Sequence, residues 1–190
     1  KNIEQRQSAR IRLIRFRPGH DDLGKAAGSP EPDAHPAFPF NVMSYWPAMG
    51  YRFAIEVGKL IAREGPPDLI EVQDYSGIGY YLLQQKLLGQ AGLSETLILV
   101  HLHTPGFEIL ALDRFPDYRL PEYWVGRMER FSILAADGRI CPSRFLRGKV
   151  VETITGGRGE LDVDVIPLPF KPLEVQATEP EGDTKTIVYV

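Results

Sequence analysis

Four short runs have strand composition: Asp68–Gln73 (DLIEVQ), Thr96–His101 (TLILVH), Gly138–Cys141 (GRIC) and Asp162–Leu168 (DVDVIPL). A stretch with helical periodicity separates each run from the next for most of the chain. Strands joined through helices cannot close as hairpins; they need crossover connections, and those produce a parallel sheet. The alternation therefore predicts an α/β protein, a Rossmann-like and mainly parallel sheet with helices on both faces. Thr96–His101 is almost continuously apolar, as expected of a strand buried on both faces.

The helical stretches follow from spacing and punctuation. Pro47 can occupy the first turn of a helix, and Met49, Phe53, Val57, Leu60 and Ile61 then recur at three and four residues until Gly65-Pro66-Pro67. Ser76 is a candidate cap for a second helix carrying Ile78, Leu82, Leu83, Leu87 and Leu88. Pro121–Ala136 has helical pattern, with Trp124, Met128, Phe131, Ile133 and Leu134 apolar. Ser143 caps a further helix containing Phe145, Leu146 and Val150. Gly106–Pro116 reads as irregular.

The flanking regions read differently. Ile11–Phe16 (IRLIRF) alternates apolar and basic residues, as a strand with one wet face does. Pro18–Phe40 is a long Gly- and Pro-containing loop, a kind that is usually functional when ordered. Pro169–Gly182 has the composition of a linker between domains. Thr186–Val190 (TIVYV) is strand-like, and together with Lys1 at the start it is best explained as an internal part of a longer protein. The expected organisation is one domain over 1–170, containing the 18–40 loop, with 171–190 as linker and first strand of a second domain.

Composition narrows the function classes. A single cysteine, Cys141, excludes an intrachain disulfide framework and a multi-thiolate metal site. A net charge of −3 gives no electrostatic basis for binding nucleic acid. No apolar run has the length of a membrane span. The expectation is a cytoplasmic or membrane-peripheral protein without metal or nucleic-acid partner.

Ligands of open α/β sheets bind beyond the carboxyl ends of the strands. That rule selects Asp74-Tyr75-Ser76-Gly77, His101–Gly106, Pro142-Ser143-Arg144 and Pro167–Lys171. His103 follows a strand where Thr104-Pro105-Gly106 forces a turn, so its imidazole can face a cleft and donate to a hydroxyl or move a proton. The plain alternative is a histidine satisfied by loop backbone. His101, two residues earlier, shares its face, but the surrounding spacing supports no metal site. Asp74, Tyr75 and Ser76 offer an acceptor, a ring and a hydroxyl at one strand end; alternatively Asp74 or Ser76 simply caps the next helix. The GIG at Gly77–Gly79 does not complete a dinucleotide fingerprint, since Leu82 stands where the third glycine belongs. Ser143 and Arg144 open a helix and make a candidate anion site, or else a plain cap beside a solvated arginine. Glu129, between Arg127 and Arg130, reads as a solvated surface carboxylate.

Four segments resemble the N-terminal half of GT-B-fold glycosyltransferases, in particular the retaining enzymes of glycosyltransferase family four. They are PDLIEVQDYSG at Pro67–Gly77, LILVHLHTPG at Leu97–Gly106, MERFSILAADGRICPSRFL at Met128–Leu146 and VDVIPLPFKP at Val163–Pro172. They stand in family order and span about residues 67–190. The resemblance implies two Rossmann-like domains facing across a cleft, the first holding the sugar acceptor and the second the nucleotide-diphosphate sugar donor. His103 matches the histidine that contacts the transferred sugar. Asp74, Tyr75, Ser143 and Arg144 match positions that line the cleft, and Ser76 and Thr104, in the same turns as Asp74 and His103, are further candidate substrate-binding residues.

The sequence departs from the family in three ways. No glycine-rich loop is recognisable before Ile11. Pro169-Phe170-Lys171 stands where an aspartate is common, and the donor-binding basic residue and glutamates would lie in the second domain. The expectation is the acceptor-binding half of a retaining glycosyltransferase, inactive as this fragment, with no cofactor other than the donor substrate. Two rivals remain: a non-catalytic glycan- or protein-binding module, and a single-domain sugar-phosphate enzyme.

Overall fold

The computed structural model describes residues 6–8, 11–14, 45–116 and 118–169. The expected 18–40 loop, the linker and the terminal TIVYV strand lie outside the described residues.

Four strands form one parallel sheet in sequential order: β3 (Leu69–Gln73), β4 (Leu97–His101), β5 (Gly138–Cys141) and β6 (Asp164–Val165). The α/β, Rossmann-like architecture read from the alternation is the one observed. Register aligns Val72 with Val100 and His101 with both Gln73 and Ile140, so β3, β4 and β5 end close together. A separate antiparallel pair joins β1 (Arg6–Ser8) to β2 (Ile11–Leu13). The strand expected at 11–16 is thus found at its start, outside the parallel sheet.

The connecting helices are α1 (Tyr45–Glu64), α2 (Tyr80–Leu87), α3 (Gly106–Leu112), α4 (Glu122–Ala135) and α5 (Arg144–Thr155). Their apolar residues close a core around Val72, Leu82, Leu83, Ile98, Val100, Leu102, Ile133 and Val150. Ser143 caps α5 as its sequence position predicts, its Oγ accepting from the Leu146 N–H at 3.2 Å. Cys141 is free and buried.

Several local expectations are corrected. Burial along β4 alternates, with Ile98 and Val100 fully buried and Leu97 exposed, so this strand is not covered equally on its two sides. Gly106–Leu112 is a helix and not irregular; seven residues are too few for periodicity to register. Helix α2 starts after Gly79, without a side-chain cap, and ends at Leu87, which leaves Leu87 and Leu88 exposed. The strand expected at 162–168 pairs only at Asp164–Val165. In α4 the buried face holds Gly126, Met128, Glu129, Ser132 and Ile133, while Trp124 and Leu134 are exposed. A stripe containing glycine, glutamate and serine is invisible to a reading that follows hydrophobicity alone.

Candidate functional site

The chain leaves β3 through Asp74 into a short 3-10 turn, Tyr75–Gly77, in which Ser76 has φ +60° and Gly77 φ +60°. A left-handed serine is uncommon and marks a backbone held by its surroundings. Glu129 supplies the hold. Its Oε1 accepts from the Ser76 N–H at 2.7 Å, and its Oε2 accepts from the Phe107 N–H at 3.1 Å. Gly106 N–H also bonds to the carboxylate. Glu129 is therefore a buried clamp, 1% exposed, and not the solvated surface carboxylate expected from its arginine neighbours.

Asp74 is a second buried carboxylate at the same strand ends. Its Oδ2 accepts from the His103 N–H at 3.0 Å, joining the β3 exit to the β4 exit. Its Oδ1 has no hydrogen-bond partner. Desolvation raises the pKa of Asp74, against backbone N–H donors that favour its charged form. Desolvation likewise raises Glu129, with the N–H groups of Ser76, Phe107 and Gly106 opposing and the charge of Asp74 adding to the rise. These two acids hold the turns after β3 and β4 in fixed relation.

The fixed turns open onto a cavity of about 460 Å³. Tyr75, Ser76, His103 and Thr104 line it, so four of the seven residues selected from sequence meet at one place. His103 is exposed at the cavity wall, and its ring stacks on that of His101 with centroids 4.3 Å apart. His101 Nδ1 in turn lies 2.9 Å from Glu71 Oε1. Thr104 Oγ1 donates to the His103 carbonyl. Asp74 stands behind the wall and acts through the His103 backbone. Ser143 and Arg144 are not among the lining residues: Ser143 is engaged as the α5 cap, and Arg144 is exposed.

Several lining residues were not selected from the sequence, among them Trp46, Glu129 and the wall residues of α3 and α4. Trp46, near the start of α1, is 43% exposed and meets the Tyr75 ring edge-on at 6.5 Å. The first turn of α1 gives no local sign of a ligand, so only tertiary structure reveals it. Glu129 was legible in principle, since it falls on the face of α4 that also carries Met128 and Ile133. Phe107, Ile109 and Leu110 of α3 line the cavity together with Pro121 and Val125.

No group of three or more potential metal-ligating side chains occurs among the described residues. No described helix is long and apolar enough to cross a membrane. No protein-family model matches the sequence, and comparison with curated proteins and with solved structures found no match.

Proposed function

We propose that this chain is the acceptor-side half of a retaining glycosyltransferase, with the nucleotide-diphosphate sugar held by a second domain. The observation that carries the reading is His103, exposed in a cavity at the carboxyl end of a parallel sheet and anchored through its backbone to the buried Asp74. An imidazole, two hydroxyls and two aromatic rings around one hollow suit a sugar, which presents hydroxyl edges and C–H faces.

In this reading Trp46 and Tyr75 flank a pyranose ring, Ser76 and Thr104 meet its hydroxyls, and His103 holds the sugar being transferred. The acceptor oxygen bonds to the anomeric carbon as the bond to the diphosphate oxygen breaks. The diphosphate leaves on the same face, and the acceptor proton leaves with it. The chain contributes position: two clamped turns bring acceptor and His103 together without reorganisation at the moment of reaction. Closure of the donor domain over the cavity completes the site and excludes water.

The test compares the 190-residue chain with a form extended through the second domain, titrating both with nucleotide-diphosphate sugars in a calorimeter. Donor binding confined to the extended form, with transfer reduced about 100-fold by His103→Ala, is the expected result. Tight donor binding by the 190-residue chain alone overturns the division of labour.

A further inference from the structure

The cavity lining divides by element. The turns after β3 and β4 give it polar groups, Ser76, His103 and Thr104, whereas α3 gives Phe107, Ile109 and Leu110 and the start of α4 gives Pro121 and Val125, with Glu122 and the clamped Glu129 as the lining's ionisable side chains on that helix. A second hollow of about 240 Å³ shares Phe107, Leu110, Glu122 and Gly126 with the first and continues along α4 to Arg127 and Arg130. The guanidinium of Arg130 lies 4.1 Å from the centroid of the Phe107 ring, so its charge is stacked on the wall and does not project across the slot. Leu112, the last residue of α3, and Leu120, shortly before α4, are 75% and 77% exposed.

Gly126 is informative. It lies inside α4, where glycine is less favourable than alanine. A Cβ there would meet only the Phe107 Cβ, at an ordinary 3.6 Å, so packing does not require the residue. Gly106, by contrast, has Glu129 Oε1 at 2.8 Å from its would-be Cβ and has no such room. What the bare backbone at Gly126 provides is open wall in both hollows.

A glycan extending along this slot would place hydroxyls against apolar walls that offer few partners, which is unfavourable. A hydrocarbon chain would bury without such loss. We propose that the acceptor is an amphiphile, with its hydroxyl-bearing head at His103 and an alkyl chain seated between α3 and α4 over Gly126. The proposal rests on the acceptor-side reading for the identity of the head, while the chain-binding slot stands on the geometry of α3 and α4.

The test titrates the chain with n-alkyl β-D-glucosides from butyl to nonyl, each below its micelle concentration, and records affinity and heat capacity. Each methylene entering the slot tightens binding about three- to fourfold until the slot is full, and the heat-capacity change grows more negative in step. Ile109 is half-exposed at the wall, so Ile109→Trp adds bulk from the mouth; it abolishes the dependence on length yet keeps butyl glucoside binding. Ile109→Leu retains the dependence and serves as the control for folding. Affinity independent of chain length, or a length dependence untouched by Ile109→Trp, overturns the proposal. Sedimentation with phosphatidylcholine vesicles, with and without long-chain alkyl glucoside, separates a membrane-borne acceptor from a dissolved one, and both present the same head and chain. Length-dependent binding without sugar transfer by the extended form keeps the slot and removes the transferase; transfer to chain-free sugars without length dependence does the reverse.

Discussion

Replacing Glu129 tests how the site is built. Its two oxygens are both used, Oε1 by the Ser76 N–H and Oε2 by the Phe107 N–H. Glu129→Gln keeps one carbonyl oxygen and turns the other position into an NH2 donor facing an N–H donor. One charge-assisted bond is lost and one buried N–H is left without an acceptor, which costs about 1–3 kcal/mol. Removing a buried charge whose pKa is already raised by desolvation offsets part of this. Glu129→Ala frees the Ser76, Phe107 and Gly106 donors and leaves a hollow, but water from the cavity can reach Ser76, so about 3–5 kcal/mol is expected. At roughly 2–4 °C per kcal/mol for a domain of this size, glutamine lowers Tm by a few degrees and alanine by about 10 °C. Urea unfolding followed by circular dichroism measures the stability, and amide hydrogen exchange should show Ser76 and Phe107 losing protection first. Glutamine within about 0.5 kcal/mol of the parent, with both amides still protected, would refute the clamp and return Glu129 to the surface role its arginine neighbours imply.

The same acids set a pH dependence. Asp74 and Glu129 both titrate above their ordinary values because burial disfavours charge, so their contribution to stability is full below about pH 4 and is lost as pH rises through the folded values. Asp137 has the opposite sign: burial would raise its pKa, but the Lys86 ammonium and the Ile98 N–H together depress it, and its contribution disappears as pH falls through the depressed value. Urea midpoints across pH 3–8 (roughly the span of these carboxylates) should show a shallower alkaline fall in Glu129→Gln and a shallower acid fall in Asp137→Asn. Ser143→Ala removes the α5 cap and should cost about 1 kcal/mol in urea unfolding without changing ligand affinity at the cavity. Gly126→Ala should raise stability by about 0.5–1 kcal/mol while weakening octyl glucoside more than butyl glucoside in titration. A stabilised variant with unchanged chain-length dependence would show that the glycine has no part in the slot.

The sheet was legible because its information is local. DLIEVQ, TLILVH and GRIC each carry enough β-branched and apolar character, and enough helix between them, to define parallel strands, and β3–β5 appear within a residue of their expected bounds. That His103, Tyr75, Ser76 and Thr104 would meet at one cavity was legible for a different reason: strand ends in such sheets converge. Trp46 was hidden because nothing between it and Tyr75 in sequence reveals that α1 begins beside the β3 exit. Glu129 was misread because a carboxylate flanked by arginines looks solvated in one dimension, whereas its partners are backbone N–H groups 53 and 22 residues away. Helix α3 was missed because seven residues fall below the length at which a pattern exceeds chance.

These failures share a cause that bears on function. The turns after β3 and β4 have little regular structure to stabilise them, and one contains a left-handed serine. Such backbone persists only where outside groups over-determine it. Here the groups are two buried carboxylates, one from α4 and one from the β3 exit itself, and each is held against desolvation by backbone donors from the turns. The acids need the donors to remain buried, and the turns need the acids to keep their shape. Neither half is visible in a local pattern because neither is stable locally. The arrangement fixes His103, Ser76 and Thr104 around the cavity before any ligand arrives, so the entropy of ordering these turns is met on folding and not subtracted from binding. Any ligand of the cavity therefore meets polar groups that are already in place.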